Sequence, residues 1–365
     1  MKKGIVRRVL ILAFAGLLCL GMVLYARKAE ENGGQRAAVG SIRLWYAAPD
    51  CAPAVMEDLL SRCREETGLA VFADCFPDEQ TLAAALETDR PDLLFCSHIR
   101  AAHIDGIGGL VALDETLPIP ESLKEIQPAP GRVFFPIGSR LLLLLQNTAL
   151  TEEKFDNLES LLNAAADTPF LAADDWSMLL YAAMRAEGKE MQGLLEKDRE
   201  NKSYRTLYNL LGEASFRGGL AITERDAAEY VRQGMLPCAI VRSGTLAGVS
   251  DDGLRVSPMP LPKRAETAYT AELMGFAMPN GANAENTKIF LCWLWNGQGR
   301  EAALNAGLAP VANPDPKAVP DSELKQLLLT LSESDSLVWP DGREAFFMNH
   351  ESCEARLRAA LDLLA

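Results

Sequence analysis

Residues 134–150 read FFPIGSRLLLLLQNTAL. Leu141 to Leu145 are five bulky apolar residues in a row with no polar interruption. Such a run suits a strand buried on both faces, which occurs where helices cover a sheet from two sides. A helix is the weaker reading, because Asn147 and Thr148 interrupt the chain just beyond the leucines. The segments on either side then decide how the sheet is built. Upstream, Ile42, Leu44 and Tyr46 alternate with Arg43 and Trp45, a short strand. Pro53 opens a helix at its first turn, where its missing N–H costs nothing. Val55, Met56, Leu59, Leu60 and Cys63 form the inward stripe, and Gly68 closes it. Leu69–Phe72 is a second strand, Asp78 caps a helix carrying Leu82, Ala85 and Leu86, and PDLLF (91–95) is a third strand. This alternation predicts an α/β fold with a largely parallel sheet.

A further helix is expected over Ala101–Ile107, with Gly106, Gly108 and Gly109 forming a turn beyond it rather than a dinucleotide fingerprint. Downstream of the leucine run, Leu158, Leu161 and Leu162, then Met178, Leu179, Ala182 and Ala183, then Leu207, Leu210 and Leu211 carry helical spacing. Strands are expected at Pro169–Ala172, Leu236–Val241 and Leu254–Leu261. No repeat of 20–50 residues is visible.

The 365 residues suit about two domains. Apolar residues make up 48% and charged residues 24%, which excludes wholesale disorder. The net charge is −14, yet the first 28 residues carry six basic side chains and no acidic one, leaving −20 on the rest. A body so acidic repels phosphate backbones, so nucleic acid is not an expected partner. Val9–Ala26 is an uncharged apolar run of 18 residues. As a helix it spans about 27 Å, close to the hydrocarbon core of a bilayer. Lys2, Lys3, Arg7 and Arg8 precede it and hold the start in the cytoplasm. Leu24 and Leu18 stand where a signal-peptide site after Ala26 and a lipobox at Cys19 want small residues. Residues 1–28 therefore read as an uncleaved signal anchor, with a cleaved signal peptide as the alternative. AEENGGQRAAVG (29–40) reads as a linker.

The eight cysteines show no C-x-x-C and no metal spacing. Most read as small buried hydrophobes, with oxidation of Cys51 and Cys75 open. The chain has no phosphate loop, nucleophile elbow or zincin helix. Of its three histidines, His98 and His103 do not share a helical face, so no metal site is expected. No cofactor is implied. Asp174-Asp175 and Asp251-Asp252 read as turn and cap carboxylates.

The order of segments resembles the maltose-type extracellular solute-binding proteins of ABC importers. The resemblance runs through IRLWYA (42–47), PDLLFCSH (91–98), GGLVALDE (108–115), FFPIGSRLLLLLQNTAL (134–150) and LPCAIVRSGTLAG (236–248). Its best-matching stretch is 257–314, a Pro-x-Pro strand, a Gly-containing strand, a helix from about Glu285 and a Gly-x-x-Pro-Val crossing. The chain departs from that pattern at Leu145-Gln146-Asn147, where the family has Tyr-Asn-Lys. It also has Arg242-Ser243-Gly244-Thr245 where many relatives place a ligand-stacking Trp.

The resemblance implies a two-lobed periplasmic-binding-protein-like fold with hinge strands. Lobe 1 would combine residues 41–139 with 270–308, and lobe 2 residues 140–269 with 309–365. It implies a monomer, tethered outside the cytoplasm by its N-terminal helix, that captures a small solute, a sugar or oligosaccharide, for ABC permease subunits. The same fold used as a ligand sensor or non-transport module is the alternative, and an exported enzyme a third reading. Ligands of open α/β sheets sit outside the carboxyl ends of strands. That rule selects Trp45 and Tyr46, Ser97 and His98, Asp174, Asp175 and Trp176, and Arg242 and Ser243 as ligand-binding candidates. Aromatic faces would cover apolar ring faces, and the polar groups would bond hydroxyls or charges. Core packing is the competing role for Trp45 and Trp176, and the expected one for Trp293 and Trp295.

Overall fold

The computed structural model describes residues 40–117, 119, 133–165, 169–173, 178, 218–221, 227–247, 253–260, 269–311, 321–333 and 337–340. The expected signal anchor, the linker up to residue 39, and Asp174, Asp175 and Trp176 lie outside the described residues. Among the described residues, no helix is long and apolar enough to cross a membrane.

The first unit is β1 (Ser41–Ala47), α1 (Pro53–Thr67), β2 (Ala70–Phe76), α2 (Glu79–Leu86), β3 (Leu93–Ser97) and α3 (His98–Gly106). Pro53 stands in the first turn of α1, and Gly68 ends it in the left-handed conformation at φ 76°. Asp78 caps α2, its Oδ1 accepting the Thr81 N–H at 2.7 Å. Two elements run beyond their sequence expectation. β2 extends to Phe76 because β1 pairs with it in parallel along its whole length, from Ser41↔Ala70 to Ala47↔Phe76. The ladder thus carries the polar Asp74 with it. α3 starts three residues early because the Ser97 hydroxyl accepts the Arg100 N–H at 3.2 Å and caps it.

β4 (Phe134–Asn147) is a 14-residue strand, buried from Phe134 through Gln146. It is succeeded by α4 (Leu158–Ala164), β5 (Leu171–Ala173), β6 (Leu220–Ala221), α5 (Ala227–Arg232), β7 (Cys238–Arg242) and β8 (Leu254–Pro258). β9 (Tyr269–Ala277) then leads to α6 (Ala284–Trp293), α7 (Gly299–Asn305), β10 (Ala309–Pro310), α8 (Glu323–Ser332) and β11 (Leu337–Val338). The backbone order of the main sheet is β2-β1-β3-β9-β4-β7-β5-β6, with β8 and β10 also on β4 and β11 on β9.

The sheet is mixed rather than largely parallel. β1–β2, β1–β3, β5–β6, β5–β7 and β9–β11 are parallel, but every pairing of β4, and that of β3 with β9, is antiparallel. The reason is the path of the chain. The N-terminal part of β4 pairs with β9, through Leu141↔Ala271, and its C-terminal part pairs with β7 and β8, from Leu142↔Arg242. β4 therefore leaves one sheet region and enters another, while β9 runs against it.

Two hydrophobic clusters flank this passage. One gathers Leu44, Phe95, Phe134, Phe276 and Phe290 with α1 and α6, the other Leu141, Leu143, Leu145, Val241, Leu328 and Ala271. Each fully buried leucine contributes about 1.5–3 kcal/mol. Trp293 and Trp295 are half-buried and pack against the first cluster, as expected, at a π-helical turn over Leu294–Gln298. The Trp293 indole N–H reaches Glu66 at 2.8 Å, and Trp295 meets Phe135 edge-on at 5.9 Å. All six cysteines of the described residues are free thiols.

The α7–β10 turn packs tightly against the backbone just beyond β7. Gly307 has φ 70°, and a Cβ there would lie 2.4 Å from the Ser243 carbonyl oxygen. Gly307→Ala combines a disfavoured backbone conformation with a backbone clash, and a loss of about 2 kcal/mol or more is expected. Urea denaturation of the variant against wild type measures it; an unchanged midpoint would contradict this packing.

Candidate functional site

Arg140 is the single charge in the apolar sequence from Phe134 to Leu145, and Glu272 the single charge in β9. They are register partners across β4 and β9, so their side chains share one face. Arg140 Nε donates to Glu272 Oε2 at 2.8 Å and Nη2 to the same oxygen at 2.5 Å. Its Nη1 donates to Asp50 Oδ1 at 2.7 Å. Asp50 stands beyond the carboxyl end of β1, in a turn closed by its own N–H on the Ala47 carbonyl. The three side chains sit at the passage of β4 between the two clusters, with Arg140 4% and Asp50 2% exposed.

Burial pushes the Asp50 carboxyl up to about 6; Glu79 adds to the rise, while Arg140 and Arg242 oppose it. Burial also works against the Arg140 charge, but Glu272 and Asp50 outweigh it and hold the guanidinium above its ordinary range. Removing one member of such a buried set leaves an uncompensated charge, the situation that costs most in a protein interior.

Two of the predicted residues lie beside this set, and two more stand at the end of β3. Ser243, fully buried at the end of β7, accepts the Leu141 N–H on its hydroxyl at 3.1 Å. Arg242 is half-buried beside it and close enough to act on both Asp50 and Arg140. Ser97 is spent on capping α3. His98 is buried, its Nδ1 accepting the Leu273 N–H at 3.1 Å and its Nε2 2.8 Å from the Pro340 carbonyl oxygen. An acceptor is required at Nδ1, so the ring is in the Nε2–H form and donates to Pro340. The Trp339 indole N–H donates to Ser139 Oγ at 2.9 Å, so residues 339 and 340 are both tied to the passage.

Trp45 and Tyr46 are placed elsewhere, in the first hydrophobic cluster. The Trp45 indole N–H donates to Asp74 at 2.8 Å, its ring meets Phe76 at 5.0 Å, and the Arg43 guanidinium lies 5.3 Å from its centre. Burial pushes the Tyr46 phenol above its ordinary range, and a hydrogen bond with Cys75 adds to this. Their packing is that of core residues. Asp174, Asp175 and Trp176 lie outside the described residues. Sequence reasoning passed over Asp50, Arg140, Glu272 and Trp339. The signal for the pair was a lone charge in each of two apolar strands, which is tolerated in a core only when compensated.

Beside the passage, a groove of about 550 Å³ opens between α1, the turn after β7, the end of α7 and the start of α8. It contains none of the predicted residues. Among the described residues, no group of three or more His, Cys, Asp or Glu is arranged to hold a metal ion.

No protein-family model matches the sequence, and no curated protein matches it. Solved structures do match the fold. The spermidine/putrescine ABC transporter substrate-binding protein PotD of Streptococcus pneumoniae aligns at a TM-score of 0.67 and 15% identity, over 88% of this chain and 99% of its own. A Listeria monocytogenes protein described as a spermidine/putrescine ABC transporter aligns at 0.63 and 15% identity, over 89% and 99%. The GacH receptor of Streptomyces glaucescens, solved with and without acarbose, aligns at 0.70 and 15% identity, over 89% and 94%. The chain has the mixed α/β periplasmic-binding-protein fold, shared with substrate-binding proteins of ABC transporters.

The sign of the Asp50 effect is testable. With a folded-state value near 6 and an ordinary value of 3.8, the folded protein holds this proton more tightly than the unfolded chain does. Stability contributed here is therefore full below about pH 4 and is lost as pH rises through 6. Asp50→Asn keeps a polar partner for Arg140 and does not titrate. Between pH 4 and pH 7 the variant should gain on wild type by about 2–3 kcal/mol. Urea denaturation of both proteins at the two pH values reads the difference; a constant gap would refute the assignment.

Proposed function

We propose that this chain is the extracytoplasmic substrate-binding component of an ABC importer, a binder rather than an enzyme. One observation carries the reading: in a fold shared with such proteins, the ends of β1, β3 and β7 meet at one buried polar set where β4 passes between two hydrophobic clusters. In the proposed mechanism, residues 41–139 with 270–308 and residues 140–269 with 309–365 are two lobes. Strands β4, β9 and β10 form the hinge, and a small solute bound between the lobes draws them together. Ser97, His98, Arg242 and Ser243 would border the cleft from the described side, and Asp174, Asp175 and Trp176 would complete it. Ile137, Leu273 and Leu308 pack in the first cluster and Leu141, Ala271 and Ala309 in the second, which supports placing the hinge in these strands.

The solute we favour is a sugar or oligosaccharide. The maltose-type order of segments supports this, as does the likeness to a receptor solved with acarbose. A polyamine is the second reading. Two of the similar structures carry spermidine/putrescine in their descriptions, and a charge of −20 outside the first 28 residues would draw in cations. Melting curves of the protein with acarbose, maltooligosaccharides, spermidine and putrescine separate the two. At a hundredfold excess over Kd a bound solute adds about 2.7 kcal/mol and raises the melting temperature by several degrees. Stabilisation by sugars alone supports the first reading and by polyamines alone the second; stabilisation by neither class rejects both.

The N-terminal run supports a tether to the outer face of the cytoplasmic membrane through residues 1–28 and the linker 29–40. The full chain should stay in the membrane fraction through a high-salt wash. Recovery of a mature protein beginning at Arg27 or Lys28 would show instead that the segment is cleaved.

A further inference from the structure

Among the six cysteines of the described residues, Cys75 is the exposed one; Cys292 is half-buried, and Cys51, Cys63, Cys96 and Cys238 are buried. Cys75 is exposed because β2 is the outermost strand at its end of the described sheet, paired on one side only, with β1. The parallel register sets Asp74 opposite Trp45 and Cys75 opposite Tyr46. Successive side chains point to opposite faces of a strand, so each of these pairs shares one face. The Trp45 indole accordingly meets Asp74 at 2.8 Å on one face, and Cys75 stands with Tyr46 on the other.

Cys51 reaches the same place from the turn after β1. The pairing of β1 with β2 continues one residue past the strand, the Ala48 N–H donating to the Phe76 carbonyl at 2.8 Å. The chain then turns back, with the Asp50 N–H on the Ala47 carbonyl at 2.9 Å. Cys51 follows at once, buried with Tyr46 in the first cluster. The Tyr46 phenol hydrogen-bonds with Cys75 and lies within electrostatic reach of Cys51, and the two thiols lie within such reach of each other. Both sulfurs are otherwise held weakly. Cys51 Sγ donates to the Ala52 carbonyl at 3.6 Å and Cys75 Sγ to the Phe76 carbonyl at 3.8 Å. Thiols are weak donors, so turning either side chain about χ1 gives up little.

We propose that Cys51 and Cys75 are a redox-active pair that closes to a disulfide by exchange with a small disulfide. Cys75, the accessible thiol, attacks first as the thiolate. It forms a mixed disulfide with one half of the reagent and releases the other half as a thiolate. Cys51 then gives up its proton and attacks Cys75 Sγ, expelling the second half. Two protein thiols are oxidised, the reagent is reduced to two thiols, and these take up the two protons lost. Burial pushes the Cys51 thiol up to about 12, so the closing step is the slower one. The bond would tie the β1–α1 turn to the outer strand. Asp50, the residue before Cys51 in that turn, is the partner of Arg140, so closure would pin the turn that supplies it. The pairing does not depend on which solute the protein binds, or on whether it binds one.

The test is oxidation of the full-length protein by oxidised glutathione at pH 8 without denaturant, followed by alkylation and non-reducing peptide mapping. Cleavage after Arg, Lys and Glu places Cys51 in 44–57, Cys63 in 63–64, Cys75 in 67–79 and Cys96 in 88–100. Glutathione should appear first on 67–79, and 44–57 linked to 67–79 should then become the main cross-linked species. Cys51→Ser should stop at glutathione on Cys75, and Cys75→Ser should leave Cys51 unmodified. The oxidised wild type should melt several degrees above the reduced protein, because the bond closes a loop of the unfolded chain. A reaction of wild type that ends at glutathione on Cys75 would overturn the proposal. So would a link from Cys75 to any other cysteine, or an oxidised form that melts below the reduced one. If Cys51→Ser does not fold, the wild-type map and its melting curve decide alone.

Discussion

A guanidinium buried between two hydrophobic clusters constrains much of what surrounds it. Arg140 cannot reach water at 4% exposure, so the chain must supply anions to it. Glu272 comes from the strand paired with β4, and Asp50 from a loop 90 residues earlier. Satisfying Arg140 therefore fixes the register of β9 on β4 and the position of the β1 loop together. The same stretch of backbone is then tied by Ser243 to Leu141 and by Trp339 to Ser139. The passage is polar in a molecule whose two flanking clusters are apolar.

That arrangement has a consequence for dynamics. Apolar clusters resist small deformation because they are close-packed. A layer of charged and hydrogen-bonded groups has discrete partners that can be exchanged for water or for a ligand. Here that layer lies on the strands that carry Arg140 and Glu272. At Gly307 the Ser243 carbonyl comes too close to admit even a methyl group.

Much of the architecture was legible from local patterns. The five leucines marked a strand covered on both faces, Gly68 and Asp78 marked helix ends, and Ser97, His98, Arg242 and Ser243 were found at strand ends. Each rests on information within a few residues: periodicity, capping chemistry, left-handed glycine. The packing of two other candidates was not legible in this way. Trp45 and Tyr46 stand at a strand end as expected, but whether a side chain there turns to the cleft or the core depends on what packs opposite. Asp74, Phe76 and Cys75 on β2 receive them.

The sequence by itself determined that the chain alternates strands and helices, that residues 134–147 run through an interior, and that an acidic body comes after a basic, apolar N-terminus. It also held the lone charges Arg140 and Glu272, but not the fact that they meet. Only the tertiary structure decided that the sheet is mixed, that β4 is shared between two clusters, and that Asp50 joins the pair from 90 residues away. The physical reason is the range of the forces involved. Helix ends and strand faces are set by steric and hydrogen-bonding preferences of neighbours in the chain. The partner of a buried charge is set by which distant segment can reach it once the apolar surfaces have packed, and that is a property of the whole fold.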